Sequence, residues 1–375
     1  MYHICHITTV HSPFDTRIFL KECRSLVEAG YRVTLIAPHT HNGTVQGVRI
    51  LALPSVRGRI RRMLFGIPRA YMLARELKAD LYHFHDPELI LAGLALRTGG
   101  SRVIYDIHED VPRALLSRKS RTGVRFFKRI LSVMVEVLEN HAARWFTACI
   151  AVTPHIANRF RGIQSNTFIV NNYPILNELN PKGRTQWSER QNAVAYVGVI
   201  AMTRGLKEMV RAMHLLPDTL HARLKLVGNF SPASSRWEVE GMAGWDTVDE
   251  MGFLARQDVR DVLDKVRIGL VLFHPLSNHT EAQPNKLFEY MSAGIPVIAS
   301  DFPRWRQLIE EEGCGIVVDP LDPHAIARAI EYLLTHDEEA EEMGRKGQRA
   351  IEQRYNWLTE SKKLTSIYRS VLTDT

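Results

Sequence analysis

Hydrophobic and polar positions alternate along the chain with two different periods, and the switches between them divide it into elements. From 2 to 174, short runs of β-branched and apolar residues predict strands at 3–10, 32–38, 48–53, 81–85, 103–108, 148–153 and 167–171. Amphipathic helices fall between most of them. Over 16–29, Phe19, Cys23, Leu26 and Val27 share one face, Asp15 is placed to cap the start and Gly30 to stop the end. A longer helix from about 124 carries Phe127, Ile130, Leu131, Met134, Val137 and Leu138 as an apolar stripe, with Arg125, Arg129, Ser132, Glu136 and Glu139 opposite. The stretch 177–192 (NELNPKGRTQWSERQN) has neither period and reads as a linker. A second series follows, with strands expected at 193–199, 224–227, 268–273, 297–299 and 315–318. Its helices are expected near 205–216, 256–266, 284–293, 303–311 and 323–335.

A β-α-β-α order implies parallel sheets covered on both faces. The division that follows is 1–176, a linker at 177–192, a second α/β domain over 193–355 and a helix over 356–375 that packs back on the first. Two such domains put a cleft at the carboxyl ends of their strands, where open parallel sheets bind ligands.

Composition changes this picture little. The 375 residues are 45% hydrophobic and 24% charged, and no apolar run is long enough for a membrane span. The opening MYHICHITTV enters a strand without a signal-peptide pattern, so a cytoplasmic protein is expected. Cys5, Cys23, Cys149 and Cys314 are far apart and form no CxxC pair, which suits buried thiols. Charge is more informative. Between Glu28 and Glu76 stand eight arginines and no acid, and between Asp110 and Glu136 seven more cations and no acid, against a net charge of +7 for the whole chain. Such blocks attract phosphates, acidic lipids or nucleic acid.

No GxGxxG, GxxxxGK[ST], HExxH or GxSxG is present, so dehydrogenases, P-loop NTPases, zinc proteases and α/β-hydrolases recede. The informative stretch is EAQPNKLFEYMSAGIPVIAS, 281–300. Pro284 suits the first helical position, and the helix is expected to run from it to Gly294. The free amides of Asn285, Lys286 and Leu287, with the dipole and the Lys286 charge, then make an anion site. Glu289 projects one turn further along the face of Asn285 and Lys286, while Glu281 precedes the helix. A ligand with a phosphate between the carboxylates could offer hydroxyls to both.

Two glutamates with seven residues between them, the second opening EYMSAGIPVIAS, closely resemble the nucleotide-sugar site of family 4 retaining glycosyltransferases of the GT-B fold (glycosyl transferases group 1). The likeness extends to AYVGVI, Arg204-Gly205 with the helix after them, CGIVVDPLDPHAIARAI and RYNW. It implies a GT-B architecture of two facing Rossmann-like domains, with Glu289 on the ribose hydroxyls, Glu281 toward the donor sugar and the intervening helix amides on the diphosphate. It further implies Arg204 and Lys286 as charge for the leaving group, Gly205 and Lys207 beside it, and His108, at the end of VIYDIHEDVP, near the donor sugar.

The chain departs from the pattern in places. Ala282-Gln283-Pro284-Asn285-Lys286 replaces a common Gly-Phe-Gly-Leu-Pro, Val199 stands where an arginine is frequent, and Arg204 replaces a lysine. The first loop, HSPFDTRIF, lacks the usual glycine pair, so Arg17 becomes the candidate for phosphate or acceptor there. His83 and His85 alternate along one strand, but the fold requires no metal and none is expected. The expected reaction is retaining, metal-independent transfer from a nucleotide diphosphate sugar, a UDP-sugar first, without a cofactor. The acceptor would be a glycan or lipid-linked molecule in cell-surface polysaccharide or glycoconjugate synthesis. The runs RGRIRRMLFGIPRAYML and RKSRTGVRFFKRIL combine cations with apolar residues and suggest peripheral contact with the anionic inner leaflet. A sugar-nucleotide epimerase or phosphorylase is the enzyme alternative and a nucleic-acid-binding protein the non-enzymatic one. The latter lacks a helix-turn-helix or an RNA-binding strand motif.

Overall fold

A computed structural model describes residues 1–56, 58–117, 122–179 and 185–373, with side chains from 126 onward in the helix that opens at Thr122. The chain forms two compact α/β units, one of Met1–Asn172 with Trp357–Thr375 and the other of Tyr173–Asn356.

The first unit is built on β1 (His3–Ile7), β2 (Arg32–Pro38), β3 (Gly43–Val45), β4 (Val48–Leu53), β5 (Leu81–Phe84), β6 (Arg102–Ile107), β7 (Ala148–Ala151) and β8 (Thr167–Ile169). They lie in the order β3-β4-β2-β1-β5-β6-β7-β8, all parallel except β3, which runs antiparallel to β4. β1 and β5 are buried along their whole length, as in a sheet covered on both faces, and they carry His3, His6 and His83 among their apolar residues. β3 is fully exposed and short, and its sequence GTV carries no apolar alternation, so the pattern gave no sign of it.

The second unit contains β9 (Ala193–Val197), β10 (Arg223–Val227), β11 (Val248–Gly252), β12 (Ile268–Val271), β13 (Val297–Ser300) and β14 (Gly315–Val318). This sheet is parallel throughout, in the order β11-β10-β9-β12-β13-β14. The edge strand β11, VDEMG, was also unanticipated, being half polar and exposed toward its end.

Three expectations need correction. The segment 177–192 is part of the second unit rather than a free connection. Leu179 and Trp187 are buried in its cores, and Thr185 donates to Asp264 through its amide and its hydroxyl; Asn180–Arg184 lie outside the described residues. Pro284 is the residue before the helix, not its first, and the helix spans Asn285–Ser292, ahead of Gly294 at φ +62°. The helix Thr122–Ala143 turns its faces the opposite way from an ordinary core helix. Ser132 and Glu139 are buried, while Phe126, Phe127, Met134 and Val137 are 62–73% exposed. The reason is polar pairing: Ser132 donates to the Pro112 carbonyl, and Glu139 accepts from the Tyr105 hydroxyl and from Arg159, each at 2.8 Å.

The last helix, Trp357–Thr373, belongs to the first unit. Trp357 donates to the Ser25 hydroxyl, Glu360 accepts the Asn171 amide, and Tyr368 is wholly buried. All four cysteines are free and buried, and burial pushes the Cys149 and Cys314 thiols up to about 12.

Candidate active site

In the second unit the site grows from the ends of β9 and β12 and the start of the helix Asn285–Ser292. Close approach fixes this helix. A Cβ on Gly269 of β12 would lie 2.3 Å from the Tyr290 ring, so only glycine lets the helix settle there. The Tyr290 hydroxyl then accepts the Val197 amide at 2.9 Å, joining the helix to the end of β9. On the far side, a Cβ at Gly344 would meet the Gly294 carbonyl at 2.3 Å, so the helix Asp337–Gln353 closes directly on the helix end.

This packing puts Lys286 inside the protein. Its side chain is buried, with Nζ 3.6 Å from the Tyr196 ring centroid, 5.3 Å from that of Phe273 and without a hydrogen-bond acceptor. Gly198, at φ +119°, makes room for it: a Cβ there would stand 3.4 Å from Nζ. The Arg204 guanidinium lies 5.1 Å from the same Phe273 ring. Among the described residues no carboxylate forms an ion pair with either cation. Burial first, and then the Arg204 charge, drive the Lys286 pKa well below its ordinary value, against a smaller pull from Glu289. A buried, unpaired ammonium beside a second cation is costly until an anion arrives. The amides of Asn285 and Lys286, as the first two of the helix, have no intrahelical acceptor and add to the pull on an anion. The Leu287 amide does not join them, because it already donates to the Pro284 carbonyl at 3.1 Å.

Gly205 is required where it stands. Its φ is +81°, and a Cβ would approach the Leu272 carbonyl oxygen to 2.4 Å. It opens the helix Leu206–His214, whose Lys207 points elsewhere: its ammonium pairs with Glu238 at 3.0 Å, both groups well exposed. Lys207 is therefore removed from the phosphate set.

Glu289 is held by a neighbour the sequence reading missed. Arg256 donates to its Oε1 at 2.7 Å and grips Glu178 through Nε and Nη2 at 2.9 and 3.1 Å. Burial opposes charge on Arg256, but the two carboxylates outweigh it and hold the guanidinium above its usual pKa. Arg256 thus holds Glu289 through Oε1. Glu281 lies on the turn before the helix, 39% exposed, its Oε2 3.1 Å from Arg304 Nε. The same loop buries His279 against Phe273, where burial foremost depresses its pKa. The Trp305 indole fixes the loop by donating to the Ala282 carbonyl at 2.8 Å. Tyr196, Phe273, Arg256, Glu178 and His279 carried no local signal, since each acts through a neighbour distant in sequence.

In the first unit, His108 follows β6 and is 18% exposed, with Nε2 2.7 Å from Asp106 Oδ2. Arg17 is a correction. It is 4% exposed, donates to both Asp106 oxygens at 3.1 and 3.0 Å and to the Val170 carbonyl at 3.1 Å, and faces Glu22 at 3.0 Å. With its donors committed to buried partners, it is a structural ion-pair centre and not a phosphate ligand. Asp15 does cap the helix, accepting the Arg17 and Ile18 amides at 2.8 and 2.9 Å.

Comparison with known proteins agrees with both halves. Residues 16–172 match the model of Glycosyltransferase Family 4, and residues 180–350 match that of Glycosyl transferases group 1. A phosphatidyl-myo-inositol mannosyltransferase of Mycobacterium leprae is 25% identical over 342 residues, 90% of this chain and 82% of that one. Among solved structures, sucrose-phosphate synthase from Thermosynechococcus elongatus superposes with a TM-score of 0.80 at 18% identity, covering 100% of each chain. HepE of Anabaena, solved in complex with UDP, gives 0.69 at 14% identity, covering 99% of this chain and 100% of its own. With family matches over both halves and a GT-B neighbour along its entire length, the chain belongs to the group 1, family 4-type glycosyltransferases of the GT-B fold.

Proposed function

We propose that this glycosyltransferase moves a sugar, with retention and without a catalytic metal, from a nucleotide diphosphate sugar to a glycan or lipid-linked acceptor in cell-surface glycoconjugate synthesis. The observation that carries this reading is the buried Lys286 with Arg204 beside it and no counterion. A nucleoside diphosphate supplies that charge, and the same cations stabilise it as it leaves. A UDP-sugar is the first expectation, supported by the UDP found with HepE. Glu289, fixed by Arg256, accepts ribose hydroxyls through its second oxygen. Glu281 orients the sugar, and His108, held by Asp106, presents its ring to the sugar hydroxyls. In front-face transfer the departing phosphate oxygen takes the acceptor proton, so no general base is required. Water exclusion around the anomeric carbon favours the acceptor over hydrolysis.

The membrane component of the proposal rests on the reversed helix Thr122–Ala143, whose exposed phenylalanines lie beside Lys128 and Arg129. It rests also on 59–66, where Ile60, Leu64 and Phe65 are 62–75% exposed next to Arg59 and Arg61. Arg62 is not free for lipid, since it binds Glu88 at 2.6 and 2.9 Å; Arg57, Arg118, Lys119 and Arg121 lie outside the described residues. No described helix is long and apolar enough to cross a membrane. The relative named for phosphatidyl-myo-inositol supports a lipid acceptor. Incubation with UDP-, GDP- and ADP-sugars tests the reading: one donor should be slowly hydrolysed in the presence of EDTA with release of the α- or β-sugar of unchanged configuration. Hydrolysis of none of them, or an inverted product, would oppose it.

A further inference from the structure

The first unit encloses a group of side chains that donor chemistry does not use. His6 on β1, His83 on β5, His85 directly after that strand and Glu22 on the helix that follows β1 are all buried. Their ligand atoms gather around one point. His6 Nδ1 and His85 Nε2 are 2.9 Å apart, and Glu22 Oε2 stands 3.9 Å from His6 Nδ1 and 4.0 Å from both His83 Nδ1 and His85 Nε2. All these atoms lie within 4.8 Å of one another. We propose that His6, His83, His85 and Glu22 form a binding site for one divalent transition-metal ion of the zinc class, which braces the first unit.

Three observations converge on it. First, neither Glu22 oxygen receives an aligned hydrogen bond, although Oε1 faces Arg17 Nε at 3.0 Å. Arg17 thus serves one oxygen of the carboxyl, while Oε2, the one turned to the three histidines, receives no hydrogen bond and is the position an ion would satisfy. Second, the surroundings set the ring nitrogens for coordination. Asp106 receives Arg17 on both of its oxygens at 3.1 and 3.0 Å, which sets it as an acceptor. It therefore takes the His85 Nδ1 proton at 3.1 Å and leaves Nε2 bare toward the cluster. The Tyr368 hydroxyl lies 3.2 Å from His6 Nε2, where it can accept a proton and free His6 Nδ1, and 2.5 Å from His83 Nδ1, to which it can then donate, so coordination by His83 replaces that hydrogen bond. Carboxylate-histidine-metal arrangements have this form. Third, three imidazoles and one carboxylate are a zinc-type donor set, and their ligand atoms, within 4.8 Å of one another, need only draw inward to make bonds of about 2.0–2.2 Å.

A zinc-class ion is held by a carboxylate and neutral imidazole nitrogens, so any proton on those ligand atoms leaves for solvent on binding. His85, through its other nitrogen, also joins Asp106 and His108 in a second three-ligand group, and His108 is its partly exposed member, so an ion has a polar way in. The inference does not depend on the donor reading, because its residues all belong to the first unit and Lys286 and Arg204 to the second.

The test uses the whole chain, stripped of metal under mild denaturation and refolded, then titrated with Co2+ and Zn2+. One Co2+ per chain should bind with the intense visible bands of a four-coordinate site, and Zn2+ should displace it and raise the melting temperature. Glu22→Gln and His85→Ala should weaken binding by at least ~100-fold, and Asp106→Asn by about 10–100-fold through loss of its hold on His85. His39→Ala with His41→Ala, a half-buried and an exposed histidine with rings 4.5 Å apart outside the cluster, should leave binding unchanged. Circular dichroism and a cooperative thermal melt of the metal-free protein report that a variant is folded. If a variant fails to fold, the unaltered chain still decides. Wild-type protein that takes up no Co2+ and shows no thermal shift, or Co2+ bound equally by folded Glu22→Gln, overturns the site and leaves a hydrogen-bonded histidine chain.

Discussion

Lys286 is where structure and chemistry pull against each other. A lysine ordinarily keeps its head in water, yet this one is sealed over Tyr196 with Arg204 nearby. Lys286→Met should therefore raise the melting temperature of the free protein by a few degrees, at roughly 2–4 °C per kcal/mol for a unit of this size. The same change should weaken nucleoside diphosphate binding by ~10–100-fold, the loss of one charge-assisted contact of about 1.5–3 kcal/mol. Thermal melts with and without nucleotide check both. The depressed lysine also fixes a sign. Between its lowered pKa and the ordinary value the free side chain is neutral, and a bound diphosphate restores the proton. Binding should therefore take up a proton and weaken as pH rises through that window, which calorimetry in buffers of different ionisation enthalpy would read. For Glu289→Ala the expected loss of nucleotide affinity is about 1–3 kcal/mol, and it includes stranding Arg256. Residues such as Glu289 were legible because their spacing is local. Lys286 was legible as a charge but not as a buried one. Arg17 misled because its partners, Asp106 and Val170, lie 89 and 153 positions away, beyond what a helix-start pattern can reveal.

Elements were easier to read than their orientation. Apolar runs located nearly every buried strand, because a strand covered on both faces is mostly apolar, even where buried polar residues such as His6, His83 and Asp106 interrupt it. They failed for β3 and β11, edge strands whose side chains meet solvent. The helix Thr122–Ala143 shows the complementary failure. Its apolar stripe was plain, but which face turns inward was decided by Tyr105, Arg159 and Pro112, three partners from other elements. An exposed stripe of this extent calls for a partner surface. With the cations beside it, at ~1 kcal/mol per charge near an anionic leaflet, we expect the protein to sediment with anionic and not neutral liposomes. Changing Phe126, Phe127 and Met134 to serine should abolish sedimentation and leave folding and donor hydrolysis intact, since these side chains contribute little to the core. Equal sedimentation with both liposome types would point to a soluble acceptor.

At the scale of the whole molecule, two parallel-sheet units each present their own chemistry. The first carries the Asp106-His108 pair and the enclosed histidines, the second the cations and carboxylates around the helix Asn285–Ser292. The architecture could be read from the alternation of strand and helix, whereas the return of the helix Trp357–Thr373 depends on contacts such as Trp357 with Ser25 across the length of the chain. The central claim is that Arg204 and Lys286 stabilise a departing nucleoside diphosphate during sugar transfer. Its most direct test is the turnover of wild type, Arg204→Ala and Lys286→Ala with the preferred nucleotide sugar at saturation, in EDTA. The account predicts that either replacement lowers kcat by ~10²–10³ in folded protein, as other preorganised charge contacts do. Unchanged kcat in folded Lys286→Ala would contradict it.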